Sequence, residues 1–126
     1  MADSLDRLYN AVLAAKAADP ASSRTARLLR AGRTKMAKKV AEEAVEVVID
    51  AMHGDRDALV RESADLLYNL VVLWASAGVQ PKDVWLEMDR RERLFGIAEK
   101  LQKRAAEIDP HRQVVAIESR RVQERR

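Results

Sequence analysis

Between Lys38 and Asp65 the chain reads KKVAEEAVEVVIDAMHGDRDALVRESAD, two helical runs parted only by His53-Gly54-Asp55. No other stretch constrains the fold as strongly, because so short a turn leaves the two helices as antiparallel neighbours. Glu43 and Glu46 are three apart on the first run, and Glu62 and Asp65 are three apart on the second. Residues at that spacing share a helix face, so the hairpin brings the two acidic pairs together. Four converging carboxylates repel one another unless a cation lies between them, and oxygen-only ligands suit Mg²⁺, with Mn²⁺ as the other fit. The bland alternative is a solvated face paired with Lys38 and Lys39. Against it, no Lys or Arg follows Glu42 until Arg56. Glu42–Glu46 and Glu46–Asp50 are also like-charge pairs, each costing about 0.2–0.5 kcal/mol. Asp65 runs directly into Leu66-Leu67, which predicts a partly buried carboxylate in need of a cation or hydrogen bonds.

The rest of the chain reads as helix. Ser4 is the expected cap of a first helix over Leu5 to Ala18, stopped by Asp19-Pro20. Ser22 or Ser23 starts a short piece carrying Thr25, Leu28 and Leu29 that ends near Gly32. Thr34 is the expected cap of a helix over Lys35 to Met52. Its Val45-to-Ile49 segment has local strand character, outweighed by the surrounding Ala, Glu and Lys. Gly54 and Asp55 form the turn into a helix over Arg56 to Ala77. That helix is apolar on nearly all sides from Leu66 to Trp74, which marks it as the most buried and hints at a helix shared across a dimer. Pro81 opens a last helix to about Leu94, with Val84, Trp85, Met88 and Leu94 able to pack inward and Gly96 interrupting or ending it. Trp74 and Trp85 sit at apolar positions that read as core, Tyr68 is more open, and His53 reads as a C-terminal cap. The expectation is an all-α bundle of four to five helices over residues 1–108, completed by dimerisation, with a basic, poorly ordered tail over residues 109–126.

With 126 residues there is room for one core of normal size. Cysteine is absent and only His53 and His111 could serve as nitrogen ligands, which excludes disulfides and thiolate sites and disfavours zinc. The start, MADSLDRLYNAV, lacks the build of a signal peptide, and no run is long and apolar enough to span a bilayer. A cytoplasmic protein is the expectation. The net charge is +3, but Arg24, Arg27, Arg30, Arg33, Lys35, Lys38 and Lys39 crowd just upstream of the acids. Cations beside a carboxylate cluster fit an anionic substrate that arrives with a metal. None of the five aromatics lies within a basic cluster, so a nucleic-acid surface is not expected.

Glu42-Glu43-x-x-Glu46, fifteen residues, then Glu62-x-x-Asp65 resembles the signature of the all-α NTP pyrophosphohydrolase superfamily, the MazG-like fold. The longer run from Met36 to Arg91, with DPASSRTARLLRAG upstream and GIAEK downstream, resembles the phosphoribosyl-ATP pyrophosphatase family over residues 3–103. Four places depart from its pattern: Ala41 for a glycine, Asn69 for a histidine, Arg24 for an aromatic, and the stretch Arg91 to Gly96. The resemblance implies hydrolysis of the α–β phosphoanhydride of phosphoribosyl-ATP, the second step of histidine biosynthesis, by a homodimer. It makes Glu43, Glu46, Glu62 and Asp65 the metal ligands. Glu42, with Glu43, is the catalytic candidate, as an outer carboxylate or general base. Lys39, then Lys38 and Lys35, are the phosphate-binding residues. The alternatives are a MazG-like pyrophosphatase that clears noncanonical nucleoside triphosphates and a non-catalytic helical dimerisation module.

Overall fold

The structure, a computed structural model, describes residues 2–108, and the side chains of residues 4–96. The expected tail over residues 109–126 lies outside them. Five helices follow one another: α1 (Ala2–Ala15), α2 (Arg24–Ala31), α3 (Arg33–His53), α4 (Arg56–Ala77) and α5 (Pro81–Ile108). No strand occurs among the described residues, and the β-branched run Val45 to Ile49 is helical throughout. The described residues divide into two units, the first ending at Trp85 and the second beginning at Leu86.

Local chemistry accounts for most of the helix ends. Gly54 adopts φ 70° and its N–H reaches back to Ala51 O. Asp55 then caps α4, its Oδ1 accepting from Ala58 N at 3.0 Å. Only a residue without a Cβ penalty takes that left-handed turn at no cost, so two residues suffice to reverse the chain. Ser23 caps α2 by accepting from Ala26 N at 3.1 Å, and Asp83 accepts from Gln80 N at 2.9 Å across the start of α5 at Pro81.

Four boundary expectations are corrected. The helix α1 starts before Ser4, whose Oγ accepts from Arg7 Nη2 at 3.2 Å inside the helix instead of capping it. It ends at Ala15 and continues only as single turns, Lys16 N to Leu13 O among them. Helix α3 begins at Arg33, before Thr34, on a Gly32 in an extended left-handed conformation with no side-chain cap. Helix α5 runs through Gly96 to Ile108, since one helical glycine costs about 1 kcal/mol relative to alanine without barring the helix. In the same helix Met88 and Leu94 are exposed rather than packed inward. There, Glu87 takes Arg90 at 2.6 Å and Arg91 at 3.0 Å, an arrangement that holds its carboxyl down to about 2.

Within Met1–Trp85 the core gathers at one end of the α3–α4 hairpin. Tyr9 and Val12 of α1, Leu28 of α2, Met36 of α3, and Val71, Val72 and Ala75 of α4 are its buried members. Cationic side chains from two other segments tie down the end of α4: Lys16 Nζ donates to Ala75 O at 3.3 Å and Arg33 Nη2 to Ser76 O at 3.1 Å. Both satisfy carbonyls that the last helical turn leaves open. Toward the Gly54 turn the same hairpin is bare: Val45, Val48, Ile49 and Met52 of α3 and Val60 and Leu67 of α4 are exposed. Met36 is 2% exposed, so Met36→Ala is expected to cost about 2–4 kcal/mol in urea unfolding. Ser23→Ala, which removes only a cap, is expected to cost about 1 kcal/mol.

Candidate metal centre

The register of the hairpin brings Glu43 of α3 against Glu62 and Asp65 of α4. Ligand atoms of these three carboxylates all lie within 4.8 Å of one another, with Glu43 and Glu62 half-buried and Asp65 exposed. The expectation of a partly buried Asp65 is therefore corrected: the residue stands on the bare half of α4, where Leu67 is exposed as well. The most sheltered acid oxygen is on Glu62, half-buried as a residue, whose Oε2 is shielded from solvent and meets no N–H or hydroxyl donor. Such an oxygen is costly unless a cation completes it or a proton is shared with a neighbouring carboxyl. Three oxygen donors at this spacing fit Mg²⁺ or Mn²⁺, which take carboxylates readily.

Electrostatics converge on the same residue. The Glu43 carboxyl, close enough to share a proton, pushes Glu62 up from the ordinary 4.5 to about 7, and partial burial and the charges of Asp65 and Asp50 add to it. Asp50, noted in the sequence only for its like-charge spacing to Glu46, is not among the expected site residues. It lies seven residues after Glu43, two helical turns on the same face, and that spacing was the available signal.

Other expected site residues stand outside the trio. Glu46 is exposed and makes no ion pair among the described residues. Glu42 is exposed and pairs with Lys39 at 3.8 Å. Lys39 is half-buried one turn before Glu43, and Lys35 and Lys38 are exposed. Tyr68 is half-buried with its hydroxyl bonded to Thr25. Asn69 is 3% exposed, its Nδ2 donating to Asp65 O at 2.8 Å, so it braces the α4 turn between the two acids and the core.

The sequence profile of phosphoribosyl-ATP pyrophosphohydrolase matches residues 5–92, which contain the trio. The chain belongs to that family. It is 65% identical to phosphoribosyl-ATP pyrophosphatase 2 of Rhodopseudomonas palustris, covering 100% of both chains. Identity to the protein of the same name from Bradyrhizobium diazoefficiens is 62%, over 99% of each chain. With phosphoribosyl-ATP pyrophosphatase of Azospirillum brasilense it is 57%, over 76% of this chain and 86% of that one.

For this pyrophosphohydrolase-family chain the raised Glu62 value makes a stability prediction. The folded state holds the Glu62 proton more tightly than the unfolded state, so the benefit is full below about 4.5 and is lost as pH rises toward about 7. With chelator present, melting temperature is expected to fall across that window. The Glu62→Gln variant, which cannot titrate there, should show a flatter profile in the same thermal melts.

Proposed function

We infer that this chain hydrolyses phosphoribosyl-ATP to phosphoribosyl-AMP and pyrophosphate, the second step of histidine biosynthesis. Family membership carries the reading, and the orphaned Glu62 oxygen within the carboxylate trio is the observation that supports its chemistry. Glu43, Glu62 and Asp65 are the residues that would hold a divalent cation, Mg²⁺ foremost, with Glu46, exposed one turn beyond Glu43, as the further candidate ligand. A cation held there would supply charge neutralisation at the phosphate oxygens.

The remaining work falls to side chains. The triphosphate's negative charge repels an incoming water, and Lys39, with Lys35 and Lys38, offsets it along α3. Substrate binding draws Lys39 off Glu42, a weak exposed pair at 3.8 Å. That frees the Glu42 carboxylate to accept the proton of the attacking water. The oxygen of that water bonds to phosphorus as the anhydride oxygen departs with pyrophosphate. Residues 1–108 make up the catalytic domain. The substrate is a polyanionic ATP adduct that does not cross membranes unaided, which places the reaction in the cytoplasm. No helix among the described residues is long and apolar enough to cross a membrane.

The working unit in this reading is a homodimer. Val45, Val48, Ile49 and Met52 form a stripe on the face of α3 turned away from α4, and Met52 is 81% exposed. Burying each such side chain contributes about 1.5–3 kcal/mol. A second hairpin laid against the stripe makes four helices around one core.

Pyrophosphate release from phosphoribosyl-ATP is expected to require Mg²⁺ or Mn²⁺ and to stop with chelator. Asp65→Asn should lower kcat at least about 100-fold with an unchanged circular dichroism spectrum. Equal activity of that variant, or release only from other nucleoside triphosphates, would overturn the assignment. Sedimentation should show a dimer that Val48→Glu with Ile49→Glu converts to monomer.

A further inference from the structure

Beyond the carboxylates and the two cationic contacts to the end of α4, a polar contact between distant parts of the chain joins two hydroxyls. Thr25 Oγ1 and Tyr68 Oη lie 2.6 Å apart in a half-buried hydrogen bond linking α2 to α4. Among the described residues it is the one side-chain-to-side-chain hydrogen bond between two helices; the others join neighbours within a single helix. Its place matters. Tyr68 follows Asp65 by three residues, so the two side chains are neighbours on α4. At the other end α2 is only eight residues long, with Ala26 and Leu28 as its buried residues. Leu29 packs against the core at partial burial, and so few apolar anchors leave a helix this short in need of a further tie, since an isolated helix of this length has little stability of its own. A directional bond supplies what apolar contact does not.

The cargo of α2 is cationic. Arg24, Arg27 and Arg30 are exposed, and none takes part in an ion pair among the described residues. A guanidinium offers paired donors that match a phosphate. Fastened at Thr25, α2 carries these groups beside the α4 turn that holds Asp65.

We propose that the Thr25–Tyr68 hydroxyl pair is a positioning element for the substrate. It locks α2 against the metal-bearing turn of α4, so that α2 becomes the wall receiving anionic groups remote from the bond that breaks. In phosphoribosyl-ATP such a group is the phosphate on the added ribose. The proposal rests on the nucleotide-hydrolysis reading for its kinetic consequence, whereas the locking of α2 stands on geometry alone.

Two measurements on the full chain test it. In the pyrophosphate-release assay, Tyr68→Phe and Thr25→Val are expected to raise KM about fivefold while kcat stays within about twofold. Thr25→Ser, which keeps the hydroxyl, should restore the wild-type KM, and the Tyr68→Phe/Thr25→Val double variant should be no worse than either single one. In hydrogen exchange without nucleotide, Tyr68→Phe should speed exchange of α2 amides and leave α4 unchanged. A lower melting temperature with unaltered KM would make the pair a structural contact only and overturn the proposal. Unaltered α2 exchange would overturn it as well, even if the wild-type chain releases no pyrophosphate from phosphoribosyl-ATP. That last result would sink the function reading separately.

Discussion

Three carboxylates held against one another are the constraint on which the rest of this structure depends. Glu43, Glu62 and Asp65 bring ligand oxygens within 4.8 Å, an arrangement that works against the fold wherever all three are charged and unaccompanied. Glu62 registers the conflict most, with its carboxyl pushed to about 7 by Glu43 beside it. The hairpin can hold them because its turn is chemically strict. Gly54 takes a left-handed conformation, Asp55 caps the next helix, and no slack remains for the register of α3 on α4 to slip.

The buried core lies at one end of the hairpin, and the carboxylate trio lies nearer the Gly54 turn. Around Met36, Val71 and Val72, helices α1 and α2 close a core with almost no solvent exposure. Lys16 and Arg33 donate to the last carbonyls of α4 at that end. Toward Gly54 the coverage stops, and apolar side chains of α3 and α4 face outward on either side of the acids. The packed end anchors the register, and at the open end Asp65 is exposed while Glu43 and Glu62 are half-buried. Asn69 sits at the junction: buried, it donates to the carbonyl of Asp65 and so couples the rigid half of α4 to the turn carrying the acids.

The cationic side chains follow the same division. Lys39 shares the face of Glu43 and already leans on Glu42. The exposed arginines of α2 belong to a helix that the Thr25–Tyr68 bond joins to α4. Hydrophobic burial in α2 comes from Ala26 and Leu28, with Leu29 packed against the core at partial burial.

The sequence by itself determined the all-α class, the hairpin and the three acids that meet, out of four it expected there, because each is written in short-range terms. Three-residue spacing puts acids on one face, Gly54 permits one tight reversal, and Asp55 and Pro81 announce helix starts where the structure has them. It failed where several local signals compete. Ser4 and Thr34 are good caps in isolation, yet the helices begin earlier at both places, and Gly96 reads as a stop within a helix that its flanking residues carry onward. Tertiary structure alone decided which acid is shielded, because burial depends on what lies across the gap and not on the next residue along the chain. Leu66-Leu67 made Asp65 look buried, but α1 and α2 cover only the far half of α4, so Asp65 is open and Glu62, facing α3, holds the sheltered oxygen. The field of Asp50 at Glu62 and the bond between Thr25 and Tyr68, 43 residues apart, belong to the same category. They exist only once helices distant in sequence lie side by side.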